Sequence, residues 1–250
     1  MIIFARDSYL FTTENIAGYI NEMDLKDKSV LTLGSSLDQV YNALLVGADK
    51  VTVYDINVNV EMFHKIKRDL ILRYPRDYLY NNVVTSYPIK EFEQLPRPGS
   101  VYQYNLYMHS DDNYDLLRDK LVYKDRDISF IYGNIFDIKK ELDDKKYDRI
   151  ILSNVLQYLD MYCSKKDIFK VLKKMFLTLK DHLSDDGIIQ LLYYYNTWLI
   201  NSNSDYNDYF DGYNLDKLLD VLDIDDDDYK YLEFDNTYGD KDGVVLYKKR

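Results

Sequence analysis

The stretch that decides the fold is residues 30–57, which read VLTLGSSLDQVYNALLVGADKVTVYDIN. It opens with a short β-rich run that ends at Gly34, and a helical pattern from Asp38 to Gly47 follows. A second β-rich run, over residues 51–54, is closed by Asp55. Strand, helix and strand in this order predict a parallel sheet with right-handed crossovers.

The same alternation continues toward the C-terminus. The further predicted elements are a helix over 58–72, strands over 128–132, 148–153 and 188–194, a helix over 165–182, a turn at 184–187, a helix over 215–222, an acidic turn at 225–228, and two last strands over 229–234 and 244–248. A hairpin at 239–243 would make the final strand antiparallel. We therefore expect an α/β fold with a Rossmann-like, seven-stranded, mostly parallel sheet, an antiparallel last strand and helices on both faces.

The length of 250 residues suits one sizeable α/β domain. We predict a single cofactor-binding domain over 1–250, with an N-terminal cap at 1–28. The strand and helix pattern weakens over about 74–112, where all four prolines fall. That segment is predicted to be an insertion or a lid.

Composition restricts the partners. The formal net charge is −11 and the pI is about 4.8, which argues against a phosphate backbone or an anionic membrane as partner of this acidic protein. Cys163 is the single cysteine, and the three histidines lie far apart, so neither a disulfide nor a metal site is expected. No apolar run is long enough to span a membrane, and charge follows the N-terminus closely; both predict a cytoplasmic protein. Tyrosine is abundant, at 27 residues, through genome bias or function. Neither composition nor motifs indicate an oligomeric state.

The turn after the first predicted strand and the acidic residue after the second are the main candidates for cofactor binding. Small residues at Gly34, Ser35 and Ser36 let the backbone approach a ligand beside a helix N-terminus. Asp55, 21 positions after Gly34, could bind both ribose hydroxyls, or could only cap the next helix. One glycine instead of three leaves little room for a pyrophosphate. S-adenosylmethionine (SAM) has none and fits better than a dinucleotide.

Two later segments follow the third and fourth predicted strands. Asn134 and Ile135 could meet an adenine, as an amide for its amino group and an apolar side chain for its ring. Ser153 and Asn154 would lie where an acceptor meets the sulfonium. Ligands bind at the carboxyl ends of strands in open α/β sheets, so these segments and Asp55 predict one site.

The strand order and closing hairpin resemble the class I SAM-dependent methyltransferase superfamily. Residues 30–39, 42–48 and 53–57, with TTENIAGY at 12–19, are similar to its branch of betaine-lipid aminocarboxypropyl transferases, although Val58 stands where that branch often carries proline. That branch transfers the 3-amino-3-carboxypropyl group of SAM instead of its methyl group. The resemblance covers about residues 8–72 and 128–160, and it implies that 12–19 cap the cofactor.

The resemblance also implies roles for single residues. Asp55, with Ile56 and Asn57 beside it, would bind the ribose. Gly34, Ser35 and Ser36 would line the methionine portion, and Asp38 would either cap its helix or hold the SAM ammonium. The predicted cofactor residues are thus Gly34, Ser35, Ser36, Asp38, Asp55, Ile56, Asn57, Asn134, Ile135, Ser153 and Asn154. Candidates on the acceptor side are Arg6, Tyr9, Tyr158 and Asp160, and no catalytic base is assigned.

These observations predict a SAM-dependent transferase that moves a methyl or 3-amino-3-carboxypropyl group to a small-molecule or protein acceptor. Transfer from a sulfonium depends mainly on positioning, and a base is needed only for a poor nucleophile. The alternative is a non-catalytic SAM-binding or regulatory protein with the same fold. A nucleotide-dependent oxidoreductase is disfavoured by the missing glycines.

Overall fold

One sheet holds seven strands in the order β3-β2-β1-β4-β5-β7-β6. The computed structural model describes residues 10–84, 98–140, 142–159, 163–197 and 215–250. Its strands are β1 (Ser29–Leu33), β2 (Lys50–Asp55), β3 (Ile128–Tyr132), β4 (Tyr147–Ile151), β5 (Leu183–Tyr194), β6 (Tyr229–Asp235) and β7 (Lys241–Lys248). Pairing is parallel from β3 through β5, and β7 is antiparallel to both β5 and β6. The predicted sheet is confirmed.

Seven α-helical segments accompany the sheet in the described residues. They are α1 (Asp38–Leu45), α2 (Val60–Arg73), α3 (Arg76–Tyr78), α4 (Pro98–Tyr104), α5 (Asp111–Tyr123), α6 (Ile168–Asp181) and α7 (Leu215–Leu222). Short 3-10 helices lie at Ile16–Gly18, Ile20–Met23, Leu106–Met108, Asp125–Asp127, Ile135–Lys140, Val155–Tyr158, Lys165–Asp167 and Asp226–Asp228, and a π-helical segment spans Leu79–Val84.

The hydrophobic core has two layers, one on each face of the sheet. Side chains alternate along each strand, so Val30 joins one layer and Leu31 the other. The first layer contains residues of α1, α2 and α5 and of the segment that precedes β1. The second contains residues of α6 and α7. The expectation of helices on both faces is therefore confirmed.

The order of the strands determines where a ligand can bind. β1 pairs with β2 on one side and with β4 on the other, so the chain reverses its direction across the sheet at β1. Loops that leave β1 and β4 consequently run to opposite sides and leave a crevice at their carboxyl ends.

Several predicted boundaries were wrong. α5 was not predicted, although Tyr114, Leu117 and Leu121 are buried at helical spacing and the Ser110 hydroxyl caps the helix. Residues 184–187 belong to β5 as an irregularity in its pairing with β4, not to a separate turn. β7 begins at Lys241, which shortens the hairpin connection to 236–240.

The predicted insertion or lid is described at residues 74–84 and 98–112. Val101, Tyr107 and Met108 are buried there in the same core layer as α1. The Asn105 side chain accepts a hydrogen bond from the Asn42 amide at 2.9 Å. These residues therefore belong to the packed layer beside β1. The predicted loop at 202–211 lies outside the described residues.

Within the described ranges, no helix is both long enough and apolar enough to cross a lipid bilayer.

Candidate functional site

A cleft of about 170 Å³ opens at the carboxyl ends of β1, β2, β3 and β4. We call it the strand-end cleft. It is lined by Leu33, Ser35, Tyr54, Asp55, Ile56, Gly133, Asn134, Ile135, Phe136, Ser153, Asn154 and Val155. It therefore brings together side chains from all four strand ends, as the sequence predicted for one site.

The turn after β1 is tight because it must enter α1 within four residues. Ser35 and Leu37 have positive φ angles of 37° and 66°, and the Leu37 N–H donates to the Gly34 carbonyl at 2.6 Å. A β-carbon at Gly34 would overlap Val60 and lie 2.5 Å from the Asp55 carboxylate. Glycine at position 34 thus lets the acid at the end of β2 approach the turn.

The Asp55 carboxylate joins two strand ends. One oxygen accepts the Ser35 backbone N–H at 2.9 Å, and the other accepts the Asn57 N–H at 2.7 Å. The residue that precedes α2 is Asn59, so the alternative that Asp55 caps this helix was wrong. These two N–H groups fix the carboxylate between the ends of β1 and β2, where it lines the cleft.

The β3 side of the cleft is mainly apolar. Ile135 and Phe136 are buried, whereas the Ile56 side chain is 55% exposed at the cleft. Asn134 accepts the Phe136 N–H at 3.0 Å, and its carbonyl accepts the Tyr54 hydroxyl at 3.2 Å. A fixed polar turn beside apolar side chains suits a flat, heteroaromatic ring.

The β4 side of the cleft is formed by a strained residue. Ser153 has a φ of 58°, a left-handed conformation that costs free energy for any residue except glycine. The buried Gln190 side chain accepts the Ser153 N–H at 2.6 Å and donates to its carbonyl at 3.2 Å. The surroundings therefore hold Ser153 and Asn154 in a fixed position against the cleft.

The segment before β1 lies against these strand ends. The Asn15 N–H donates to the Tyr193 hydroxyl at 2.8 Å, and the Thr13 hydroxyl lies 2.9 Å from that of Tyr195. Glu14, between them, is 2% exposed and accepts a hydrogen bond from the Ser153 hydroxyl. Residues 12–15 thus contact β5 and the loop after β4, next to the cleft.

Asp38 does not lie in the cleft. It is fully buried, and its carboxylate accepts from Lys67 Nζ at 2.6 Å, the Tyr107 hydroxyl at 2.6 Å and the Thr12 N–H at 2.5 Å. Leu37 occupies the capping position of α1 without a side-chain capping hydrogen bond, and the Ser36 hydroxyl accepts the Asp38 N–H at 3.2 Å. The prediction that Asp38 caps its helix was therefore wrong. Asp38 instead anchors Thr12 and α2 beneath the turn.

The remaining predicted residues are not among those that line the cleft in the described structure. Ser36 is buried and donates to Asp38 at 3.0 Å, so it supports the turn from below. Asn57 is half-buried and is not one of the lining residues, and its side chain accepts the Asn59 N–H at 3.0 Å. Tyr158 ends the 3-10 helix Val155–Tyr158. Arg6, Tyr9 and Asp160 lie outside the described residues.

Six cleft or cleft-side residues were missed as site residues. They are Glu14, Leu33, Tyr54, Gly133, Phe136 and Val155. Five of them are direct neighbours of predicted residues at the same strand ends, so extending each predicted segment by one or two positions would have found them. Glu14 lies in the segment 12–19 that the resemblance implied as a cap, but its contact with Ser153 spans 139 residues and has no local signal.

Among the residues that the structure describes, no cluster of three or more histidine, cysteine, aspartate or glutamate side chains could hold a metal ion.

No protein-family model matches the chain, and no curated protein matches it. Solved structures do match. The N-methyltransferase NodS from Bradyrhizobium japonicum WM9 is 9% identical, with a TM-score of 0.48 over 94% of this chain and 93% of that chain. The same protein in complex with S-adenosyl-L-homocysteine gives 0.44 over 90% and 79%, at 9% identity. A ribosomal protein L11 methylase from Lactobacillus delbrueckii subsp. bulgaricus gives 0.43 over 94% and 77%, at 13% identity.

Proposed function

We propose that the chain is a SAM-dependent transferase whose cofactor binds in the strand-end cleft. The observation that carries the proposal is the position of Asp55, which lies within hydrogen-bond distance of the Ser35 turn and at the mouth of an apolar wall from β3. These features match an adenosine linked to an amino acid: the acid suits the ribose, the apolar wall suits the adenine, and the tight turn suits the amino-acid portion.

The residues present fit this cofactor. Asp55 would accept the ribose hydroxyls, and Ile56, Asn134, Ile135 and Phe136 would surround the adenine. The small Ser35 side chain, in the turn that leads into α1, would face the methionine portion. Val60 and Asp55 leave no space for a residue larger than glycine at position 34, which is consistent with a turn whose backbone contacts a ligand closely.

When bound, SAM supplies an electrophilic carbon attached to a positively charged sulfur. The protein would then position this carbon against an acceptor, and positioning accounts for much of the rate of such a displacement. Ser153 and Asn154 are held rigidly enough for this role, since Gln190 fixes the Ser153 backbone at both its N–H and its carbonyl.

We infer that the acceptor is a small molecule or a protein. The net charge of −11 disfavours a nucleic acid. The transferred group is methyl or, by the resemblance of residues 30–57 to the aminocarboxypropyl branch, 3-amino-3-carboxypropyl. The predictions of a single domain and of a cytoplasmic location are retained as part of this proposal.

Ligand-dependent melting tests the proposal. SAM and S-adenosylhomocysteine at millimolar concentration should raise the melting temperature, because they bind only the folded state. NAD should have little effect, since the turn lacks the glycines that a pyrophosphate requires. A folded protein that gives no shift with either SAM or S-adenosylhomocysteine contradicts the proposal.

Mass spectrometry of the cofactor product identifies the reaction. After incubation with SAM and cell extract, S-adenosylhomocysteine indicates methyl transfer and methylthioadenosine indicates aminocarboxypropyl transfer. Bound SAM that stays intact indicates the non-catalytic binding protein instead.

A further inference from the structure

Glu14 is a buried carboxyl group directly behind the wall of the cleft. Its side chain accepts hydrogen bonds from the Ser153 hydroxyl, from the Gln39 amide at 3.3 Å and from the Asn154 backbone N–H. Ser153 and Asn154 both line the cleft. The two residues that donate to the Glu14 carboxyl therefore also form the wall that a ligand in the cleft would contact.

Among the residues that the structure describes, no cation pairs with this carboxyl. Across the described ranges, no lysine, arginine or histidine nitrogen lies within 4 Å of it, whereas the equally buried Asp38 is paired with Lys67 at 2.6 Å. Burying an unpaired charge is costly, and buried charges are normally paired. Within the described part of the chain, Glu14 thus has no counterpart of the lysine that pairs with Asp38.

The buried Gln39 side chain beside Glu14 also has an atom without a hydrogen-bond partner among the described residues. Gln39 is 1% exposed, and its side-chain oxygen has no hydrogen-bond partner among the described residues. If the amide turns by 180°, this oxygen faces Glu14 and accepts a hydrogen bond from the O–H of the neutral carboxyl. The same pair of side chains can therefore accommodate Glu14 in either protonation state.

The surroundings favour the neutral form. Burial raises the pKa of Glu14 to about 7, and the negative charge of Asp242 on β7 acts in the same direction. The hydrogen bonds from Ser153, Gln39 and Asn154 only partly oppose this effect. Among the described residues, the phenols of Tyr19 and Tyr193 also face this region; burial raises the pKa of both, so both stay neutral. The Tyr195 phenol lies there as well, in contact with Thr13 and Asn154.

We propose that Glu14 is the counter-charge for a positively charged group of the ligand in the strand-end cleft: its carboxyl is partly protonated in the free protein at neutral pH, and it loses this proton to solvent when that group binds. A sulfonium or ammonium group on the other side of Ser153 and Asn154 supplies the positive charge that the fold withholds. This inference rests on the proposed function, because SAM is the ligand that carries these groups.

Proton release on binding tests this inference. Isothermal titration calorimetry of SAM binding is run at one pH in two buffers that differ in ionisation enthalpy, so that the difference in heat counts the protons released. For the wild-type protein we expect about half a proton per bound SAM at pH 7, because about half of Glu14 is protonated there. Release should increase toward pH 6 and disappear near pH 8.5, beyond the pKa of the free carboxyl.

Two variants test whether Glu14 is the source of the released protons. Glu14→Gln keeps the shape of the side chain and should bind SAM without this proton release. Glu22→Gln removes an exposed carboxylate of the same segment, which pairs with Lys230 at 2.7 Å, and should release protons as the wild type does. Neutral methylthioadenosine should bind without release.

The outcomes separate the two proposals. SAM binding to the wild-type protein with no proton release between pH 6 and 7 overturns the role of Glu14 and leaves the proposed function intact. Equal release by Glu14→Gln has the same meaning. An absence of SAM binding overturns both. Should Glu14→Gln not fold, the pH series on the unaltered protein decides alone.

Discussion

The Asp55 carboxylate accepts the backbone N–H of Ser35 at 2.9 Å and thereby connects the ends of β1 and β2. Loss of this acid should remove ribose binding and loosen the turn. We expect Asp55→Ala to weaken S-adenosylhomocysteine binding by at least about tenfold, since hydrogen bonds to a charged group contribute about 1.5–3 kcal/mol. Thermal-shift titration measures this loss.

The matched control is Asp49→Ala, at the opposite end of β2. Asp49 is exposed and pairs only with Lys124, at 3.1 Å, among the described residues. Exposed ion pairs contribute about 0–1 kcal/mol, so this variant should retain both stability and ligand response. Equal affinities in the two variants would mean that Asp55 does not contact the ligand.

Gly34→Ala should disrupt the same contact from the other side. The added methyl group would overlap Val60 and crowd the Asp55 carboxylate, and forcing an extra methyl into packed surroundings costs about 1–3 kcal/mol. We expect a lower melting temperature and a much smaller shift with SAM. Gly239→Ala is the control, because its φ of 86° costs about 1 kcal/mol while no atom lies near its new methyl group. A normal ligand response in Gly34→Ala would contradict the proposed turn.

Lys67→Met should be strongly destabilising. Lys67 and Asp38 are both fully buried and paired at 2.6 Å, so removing the cation leaves an uncompensated carboxylate at a cost of about 3–5 kcal/mol. Lys65→Met, on the same helix, breaks an exposed pair with Glu61 and should cost less than about 0.5 kcal/mol. Urea denaturation compares the two. The double variant Lys67→Met, Asp38→Asn should recover part of the loss, and a failure to do so would show that the pair is not coupled.

The stability of the free protein should depend on Glu14 between pH 4.5 and 7. The folded-state pKa of about 7 lies above the ordinary 4.5, so the folded protein binds more protons than the unfolded chain in this window. The contribution of Glu14 is therefore lost as the pH rises through the folded pKa. Glu14→Gln should be more stable than the wild type at pH 8 by on the order of 3 kcal/mol, and about equal to it below pH 4.5. Parallel stability curves for the two proteins across this range would exclude the shift.

Much of the sheet and part of the site could be read from the sequence because both depend on local patterns. Runs of four to seven mainly apolar residues mark the strands, and parallel strands place their carboxyl ends on one edge. Asp55, Asn134 and Ser153 could therefore be assigned to one site although they are far apart in the sequence. The cleft contains all three.

The remaining features depend on distant partners. The role of Asp38 is decided by Lys67 and Tyr107, which lie 29 and 69 positions away, and nothing in the local sequence distinguishes a buried ion pair from a helix cap. The segment 184–187 has the composition of a turn, yet it extends β5 because β4 pairs on both sides of it. Such outcomes are set by tertiary contacts and not by propensity.

The segment before β1 has a consequence for the order of assembly. Its Asn15 side chain donates to the Asp235 carbonyl, its Gly18 packs against the Phe234 ring, and its Glu22 pairs with Lys230. These partners lie more than 200 positions later in the chain, so a ribosome produces this segment long before the strand β6 that packs against it. Contacts of such sequence separation form slowly. The wall of the cleft that holds Glu14 should therefore be completed only after synthesis of β6, and a nascent chain stalled before that point should present β1 and α1 without their cover.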